Sequence, residues 1–123
     1  MSMIDPVTLA LVKSAMDAGA LRQIAHANNI ANVNTPGYKP FSVAYEEGLS
    51  QVREAVLAGR ASALRVEDVP VPELRADPLA TGASSLDVEV AELSRNALNF
   101  QALTKALSRH YALLGMAISD GRR

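Results

Sequence analysis

The chain has 123 residues, 49% of them apolar, a formal net charge of −1, and no cysteine. One domain's worth of residues with that apolar share can build a core, while the missing thiols exclude disulfides and thiolate metal sites. Two Phe, three Tyr and no Trp, with basic residues scattered along the chain, leave no electrostatic footprint for nucleic acid or an anionic membrane.

Alanine and leucine dominate and β-branched residues do not gather into alternating runs, so the composition predicts an all-α chain. Its first element is a helix over about residues 5–32, with Asp5 as N-cap and Pro6 at the first helical position, where a missing N–H does no harm. Val7, Leu11, Ser14, Ala18, Leu21, Ala25, Asn28 and Asn32 keep heptad spacing, and Met16, Ala20, Ile24, Ala27 and Ala31 form a neighbouring stripe. Small side chains on both stripes, with Gly19 among them, suit close approach by another helix.

The end of that helix is unusual in carrying Asn28, Asn29, Asn32 and Asn34, residues that rank low in helix interiors because the amide competes for backbone hydrogen bonds. Two readings follow. Asn32 or Asn34 could cap the helix before Thr35-Pro36-Gly37-Tyr38, which has proline and glycine where a type II turn wants them. Alternatively Asn28 and Asn32, four apart on one face, could set register in a helix interface, as a buried asparagine does in a coiled coil.

Downstream, residues 46–58 predict a short helix through Leu49, Val52 and Val56 that stops at Gly59. From 61 to 85, Pro70, Pro72 and Pro78 with Gly82, Ser84 and Ser85 predict extended, poorly ordered chain. The last helix, about 87–118, is the clearest. Steps of three and four from Leu86 meet Val90, Leu93, Ala97, Phe100, Thr104, Leu107, Tyr111, Leu114 and Ile118, a coiled-coil seam with one polar interruption. Ser84, Ser85 and Asp87 offer N-cap oxygens, Asp87, Glu89 and Glu92 complement the helix dipole, and Gly121 is placed for a left-handed stop. At 1.5 Å per residue such a helix is roughly 48 Å long, more than the rest of the chain can cover. The whole forms a single domain, 1–123: a coiled-coil-like pair of terminal helices around a turn and variable middle, 33–85.

Chemistry has little to work with. His26 and His110 are the only histidines, neither in an H-x-x-x-H pair, and each reads as a packed or surface residue. Phosphate-loop, dinucleotide and nucleophile-elbow motifs are absent, so neither an enzyme nor a cofactor is expected. No apolar run nears the roughly 20 residues that cross a bilayer, and Met1 to Asp5 lacks the basic start of a cleavable signal, which by ordinary rules reads as cytoplasmic. A soluble coiled-coil adaptor or secretion chaperone, taking a partner helix in a groove, would fit these patterns.

The stretch from Ala27 to Lys39, ANNIANVNTPGYK, resembles the N-terminal signature of the axial proteins of the bacterial flagellum, the rod, hook and hook-associated proteins. Asn28, Asn29, Asn32, Asn34, Pro36, Gly37 and Tyr38 carry that resemblance. Hook and distal rod proteins insert large β-rich domains between similar ends, for which the linker here has no room, so the likeness is to the small proximal rod proteins. Near the other end Asn99-Phe100-Gln101-Ala102-Leu103 stands where those proteins often read Y-Q-A-N, with Phe100 for tyrosine and Leu103 for asparagine. The resemblance implies a subunit exported through the flagellar type III apparatus without a cleaved signal, assembled in the periplasm with copies of itself, FliE, FlgC, FlgF and the MS ring. Phe41-Ser42-Val43-Ala44-Tyr45 is similar to the F-x-x-x-apolar pattern attributed to export-gate recognition, with Phe41 and Tyr45 as its anchors. Physically, outer stripes left bare by one helix pairing would pack head-to-tail on neighbours, a contact that does not close and so generates a helical tube.

Overall fold

A computed structural model describes residues 5–77 and 85–121. Helix α1 spans Pro6–Ala31, strand β1 Phe41–Ala44, helix α2 Glu46–Leu57, strand β2 Glu73–Ala76 and helix α3 Leu86–Asp120. Two single 3₁₀ turns, Ala61–Ala63 and Val66–Asp68, join α2 to β2. The two long helices and the short third one match their predicted places within the usual uncertainty of helix ends.

Helix α1 begins as its sequence dictates. The Asp5 carboxylate accepts hydrogen bonds from the Thr8 amide and the Thr8 hydroxyl, both at 2.8 Å, and these bonds hold its pKa below the ordinary carboxylate value. The start of α3 differs from expectation, because Ser85 is the N-cap but its side chain makes no capping bond. Ser84, Pro78 and Gly82 lie outside the described residues. Gly121 ends α3 in right-handed geometry, φ −69°, rather than in the left-handed form expected of it.

The main correction concerns the middle. The chain is not all-α: β1 and β2 pair antiparallel with Phe41 opposite Ala76 and Ala44 opposite Glu73, and the segment between them is largely built rather than poorly ordered. Strands of four residues are too short to display alternation, and each of these forms only against a partner about thirty residues away, so the signal is not local. Pro70 and Pro72 precede β2, where a missing N–H costs an edge strand little. Pro70 also fastens this segment to the helices: its carbonyl accepts the buried Ser14 hydroxyl of α1, and its ring lies against Gly48 of α2. Arg22 of α1 meets Glu46 at 2.9 Å and lies over the Tyr45 ring, 5.8 Å from its centroid, joining α1 to the start of α2.

Helices α1 and α3 pack antiparallel, with Asn29 and His26 beside Glu89, Gln23 beside Asn96, and Gly19 beside Asn96 and Phe100. A Cβ on Gly19 would stand 3.1 Å from the Phe100 ring, so the missing side chain is what allows the crossing to be this close. The positions that α3 turns inward are Glu89, Leu93, Asn96, Ala97, Phe100, Leu103, Leu107, His110 and Leu114, all buried or half-buried. They share Leu93, Ala97, Phe100, Leu107 and Leu114 with the apolar seam, but the positions one residue before its alternate members, 89, 96, 103 and 110, are turned inward as well. Val90, Tyr111 and Ile118 are consequently exposed.

The core is thin. Ala18, Ala25, Tyr45 and Val52 are the buried apolar residues among those described, and no large side chain is fully enclosed. The chain presents 8676 Å² to solvent. A compact monomer of 13.0 kDa would present roughly 6,300 Å², so an elongated molecule exposes about 2,300 Å² beyond that.

Candidate assembly site

The asparagine-rich end of α1 is where helix, turn, strand and second helix meet. Buried positions along α1 run Ser14, Ala18, Gly19, Ala25 and Asn29. Heptad spacing leads from Ala25 to Asn28, but a straight helix of 3.6 residues per turn drifts by about 20° per heptad, and here the drift brings Asn29 to the inner face. Asn28 is left exposed.

Asn29 uses its whole amide. Its Nδ2 donates to the Phe41 carbonyl at 3.0 Å and to Glu89 Oε1 at 3.2 Å. Its Oδ1 accepts from the Phe41 amide and from the Tyr38 hydroxyl, each at 2.8 Å. The two bonds to Phe41 reproduce those of a neighbouring strand residue, so a helix side chain closes the outer edge of β1. A carboxamide is the one short side chain that offers a donor and an acceptor in the spacing of a peptide group, which is the physical reason for asparagine at this position.

Glu89 is the counterpart from α3, 6% exposed. Its Oε2 accepts from His26 Nδ1 at 2.7 Å while its Oε1 takes the Asn29 bond. Standing in the first turns of α3, the buried carboxylate also faces the positive end of that helix. Asn96 repeats the device seven residues on, donating from Nδ2 to the Gly19 carbonyl at 2.8 Å and to Gln23 Oε1 at 2.9 Å. Polar residues thus occupy inner positions of α3 because α1 supplies their partners. Glu89, Asn96 and His26 were not among the predicted assembly residues: a glutamate near a helix start reads as a dipole partner, and nothing local shows the amides that face it. The available signal was His26 and Asn29, three apart and so on one face.

The other asparagines have separate tasks. Asn32 is the C-cap, its Nδ2 donating to the Asn28 carbonyl at 2.9 Å and its Oδ1 accepting the Thr35 hydroxyl at 3.1 Å. The chain then turns through Pro36 and Gly37, whose φ of 75° is the left-handed value that a type II turn demands, and the Tyr38 amide returns to the Thr35 carbonyl at 3.3 Å. Asn34, Pro36 and Gly37 are exposed. Asn32→Ala is therefore expected to lose about 1 kcal/mol of stability and Asn28→Ala under about 0.5, because Asn28 contributes only its main-chain carbonyl. Urea unfolding of the two variants measures the difference.

Tyr38 packs edge-on to Phe41, ring centroids 6.3 Å apart. Burial first, and then the Glu89 carboxylate, hold its hydroxyl above the ordinary tyrosine value of 10.0. A raised pKa in the folded state means a contribution complete below that ordinary value and lost as pH climbs through the higher folded one. Folding stability is expected to fall in that alkaline range, and Tyr38→Phe to flatten the fall; an unchanged alkaline limb in the variant would assign it elsewhere. Of the segment resembling an export motif, Phe41 is half-buried in β1 and Tyr45 is buried. On α3, Leu93, Ala97, Phe100, Leu107 and Leu114 are half-buried.

A family model described as flagella basal body rod protein matches residues 13–39, from within α1 through the turn. Over 124 residues, covering 94% of this chain and 95% of the relative, the sequence is 26% identical to the flagellar basal body rod protein FlgB of Bacillus subtilis (strain 168).

Proposed function

We infer that the chain is a structural subunit of the bacterial flagellar basal-body rod, of the FlgB-like kind. The observation that carries this is the end-to-end similarity to one rod protein, with the family match falling on the segment that Asn29 organises. The family is one of structural proteins, and the role it gives this chain is assembly. The small core and excess surface suit that role, since a subunit of this shape gains most of its burial from neighbours.

The subunit leaves the cytoplasm through the flagellar type III apparatus without cleavage and packs in the periplasm with its own copies and with FliE, FlgC, FlgF and the MS ring. The half-buried seam of Leu93, Ala97, Phe100, Leu107 and Leu114 holds the helix pair together, while Val90, Tyr111 and Ile118 remain for neighbours. Asn28, the exposed member of the Asn28 and Asn32 pair, is available to fix register between subunits, and Phe41 and Tyr45, half-buried and buried once the chain folds, are available for export recognition before it does. All of this is supported by the likeness to rod proteins and by the exposure pattern.

The experiment is fractionation of flagellar basal bodies from cells carrying a tagged copy. The tagged chain is expected in the rod fraction, and deletion is expected to abolish motility; a motile deletion strain would overturn the function. Leu107→Asp, placing a charge on the inner seam, is expected to abolish rod incorporation while secretion continues.

A further inference from the structure

Helix α3 has 35 residues and α1 has 26, and the antiparallel pairing of Gly19 with Asn96 and Phe100 brings Pro6 level with about residue 110. The last turns of α3 therefore project past α1. Leu113 and Met116, three apart on one face of that projection, are 48% and 63% exposed. A second, largely apolar surface lies at the middle of the molecule, a groove of about 400 Å³ along the α1–α3 crossing, floored by Gly19, Ala20, Ala97 and Phe100 with Ile24 in its wall and the amides of Gln23, Asn96 and Gln101 at its edges. Its small residues would admit a third helix at close range, and Ile24 in its wall is 50% exposed.

We propose that the projecting end of α3, through Leu113 and Met116, docks in the α1–α3 groove of a second copy of this chain. This contact rests on the rod-subunit reading, which requires copies of one polarity. Under that polarity the incoming helix runs parallel to the α3 it meets, and with Met116 level with Ala97, Arg109 and Lys105 come level with Val90 and Leu86. There they stand level with Asp87 in the acidic first turn of α3, and beside the end of α1, whose last turn has no basic residue of its own. Charge complementarity thus selects this occupant and this direction: reversed, the two cations would leave the acidic start of α3 behind. The knob and the groove are different surfaces of one molecule, so each bound copy offers a fresh groove and the contact propagates.

The chain has no cysteine, which makes the contact directly testable. In one subunit Met116 lies sixteen to twenty residues beyond the Phe100 and Asn96 that face Gly19, about 24 to 30 Å at 1.5 Å per residue. A disulfide needs Cα atoms within about 7 Å, so Ala20→Cys with Met116→Cys can close only between copies. Basal bodies isolated from cells carrying this double variant, oxidised by air with copper phenanthroline, are expected to yield a covalent series beyond the dimer. The pair Ala20→Cys with Leu57→Cys, the latter position 80% exposed, is expected to yield none. If the first pair prevents assembly, Ile24→Cys with Leu113→Cys reads the same contact. Basal bodies that contain the chain but show no crosslink with the assembled pair overturn the docking and leave the function intact. Absence of the tagged, cysteine-free chain from basal bodies overturns the function, and the docking with it.

Discussion

Asn29→Asp is expected to cost about 3 to 5 kcal/mol, the range found when a buried charge is left facing the wrong partner. The substitution changes one donor into an acceptor. Where Nδ2 now points at the Phe41 carbonyl and at Glu89 Oε1, the variant would present a carboxylate oxygen to both. Two buried carboxylates within hydrogen-bond reach cannot both stay ionised, and the Phe41 carbonyl would lose its partner at the outer edge of β1. Set against total stabilities of roughly 5 to 15 kcal/mol, and against the thin core here, the loss would leave the junction of α1, the turn and β1 open. Circular dichroism during urea unfolding would record it as a lower midpoint. Adding Glu89→Gln returns a donor to the pair and is expected to recover part of the loss, though not the Phe41 bond. Equal stability of Asn29→Asp and the parent would mean that the amide does not bridge α1, β1 and α3 in solution.

Gly48→Leu should destabilise the chain by about 1 to 3 kcal/mol, the usual cost of overpacking. On an exposed helix face the direction would be the reverse, since glycine in a helix interior is worse than alanine by about 1 kcal/mol and worse than leucine by somewhat less. The reversal comes from Pro70. A Cβ built on Gly48 stands 2.6 Å from the Pro70 Cβ, inside any tolerable contact, and the proline ring has no rotamer into which to retreat. Nor can the segment slide freely, because the Pro70 carbonyl is held by the Ser14 hydroxyl. The expectation carries a coupling test: in a Ser14→Ala background the cost of Gly48→Leu should shrink, as the 69–72 segment is then free to shift. Additive losses would show that Pro70 is not pinned between α1 and α2.

Much of this architecture was open to inspection in the chain itself, and the parts that were not share a cause. Asp5-Pro6 marks a helix start by chemistry contained in four residues, and the α3 seam announces itself because leucines recur over many turns. The turn at Pro36-Gly37 is equally local, since only glycine takes its φ without strain. By contrast β1 and β2 carry four residues each and exist only as a pair, so neither could be read before the other was in place. The asparagine cluster lies between these cases. That Asn28, Asn29, Asn32 and Asn34 are poor helix residues was plain, and capping by one of them was one of two readings. Which one caps, and which one turns inward, depended on a helical drift of a fraction of a turn.

What the amino-acid sequence determined by itself, then, were the features whose energetics close within a turn or repeat along one helix: two long helices, the Asp5 cap of the first, the bend after Asn34, and the family likeness written in Ala27 to Lys39. What only the tertiary structure decided was the identity of the partners. Glu89 and Asn96 sit inside, in place of Val90 and its apolar companions, because a buried polar group is stable wherever its hydrogen bonds are met. Those bonds come from His26, Asn29, Gly19 and Gln23, sixty or more residues away in sequence, and become available only when α1 and α3 lie side by side.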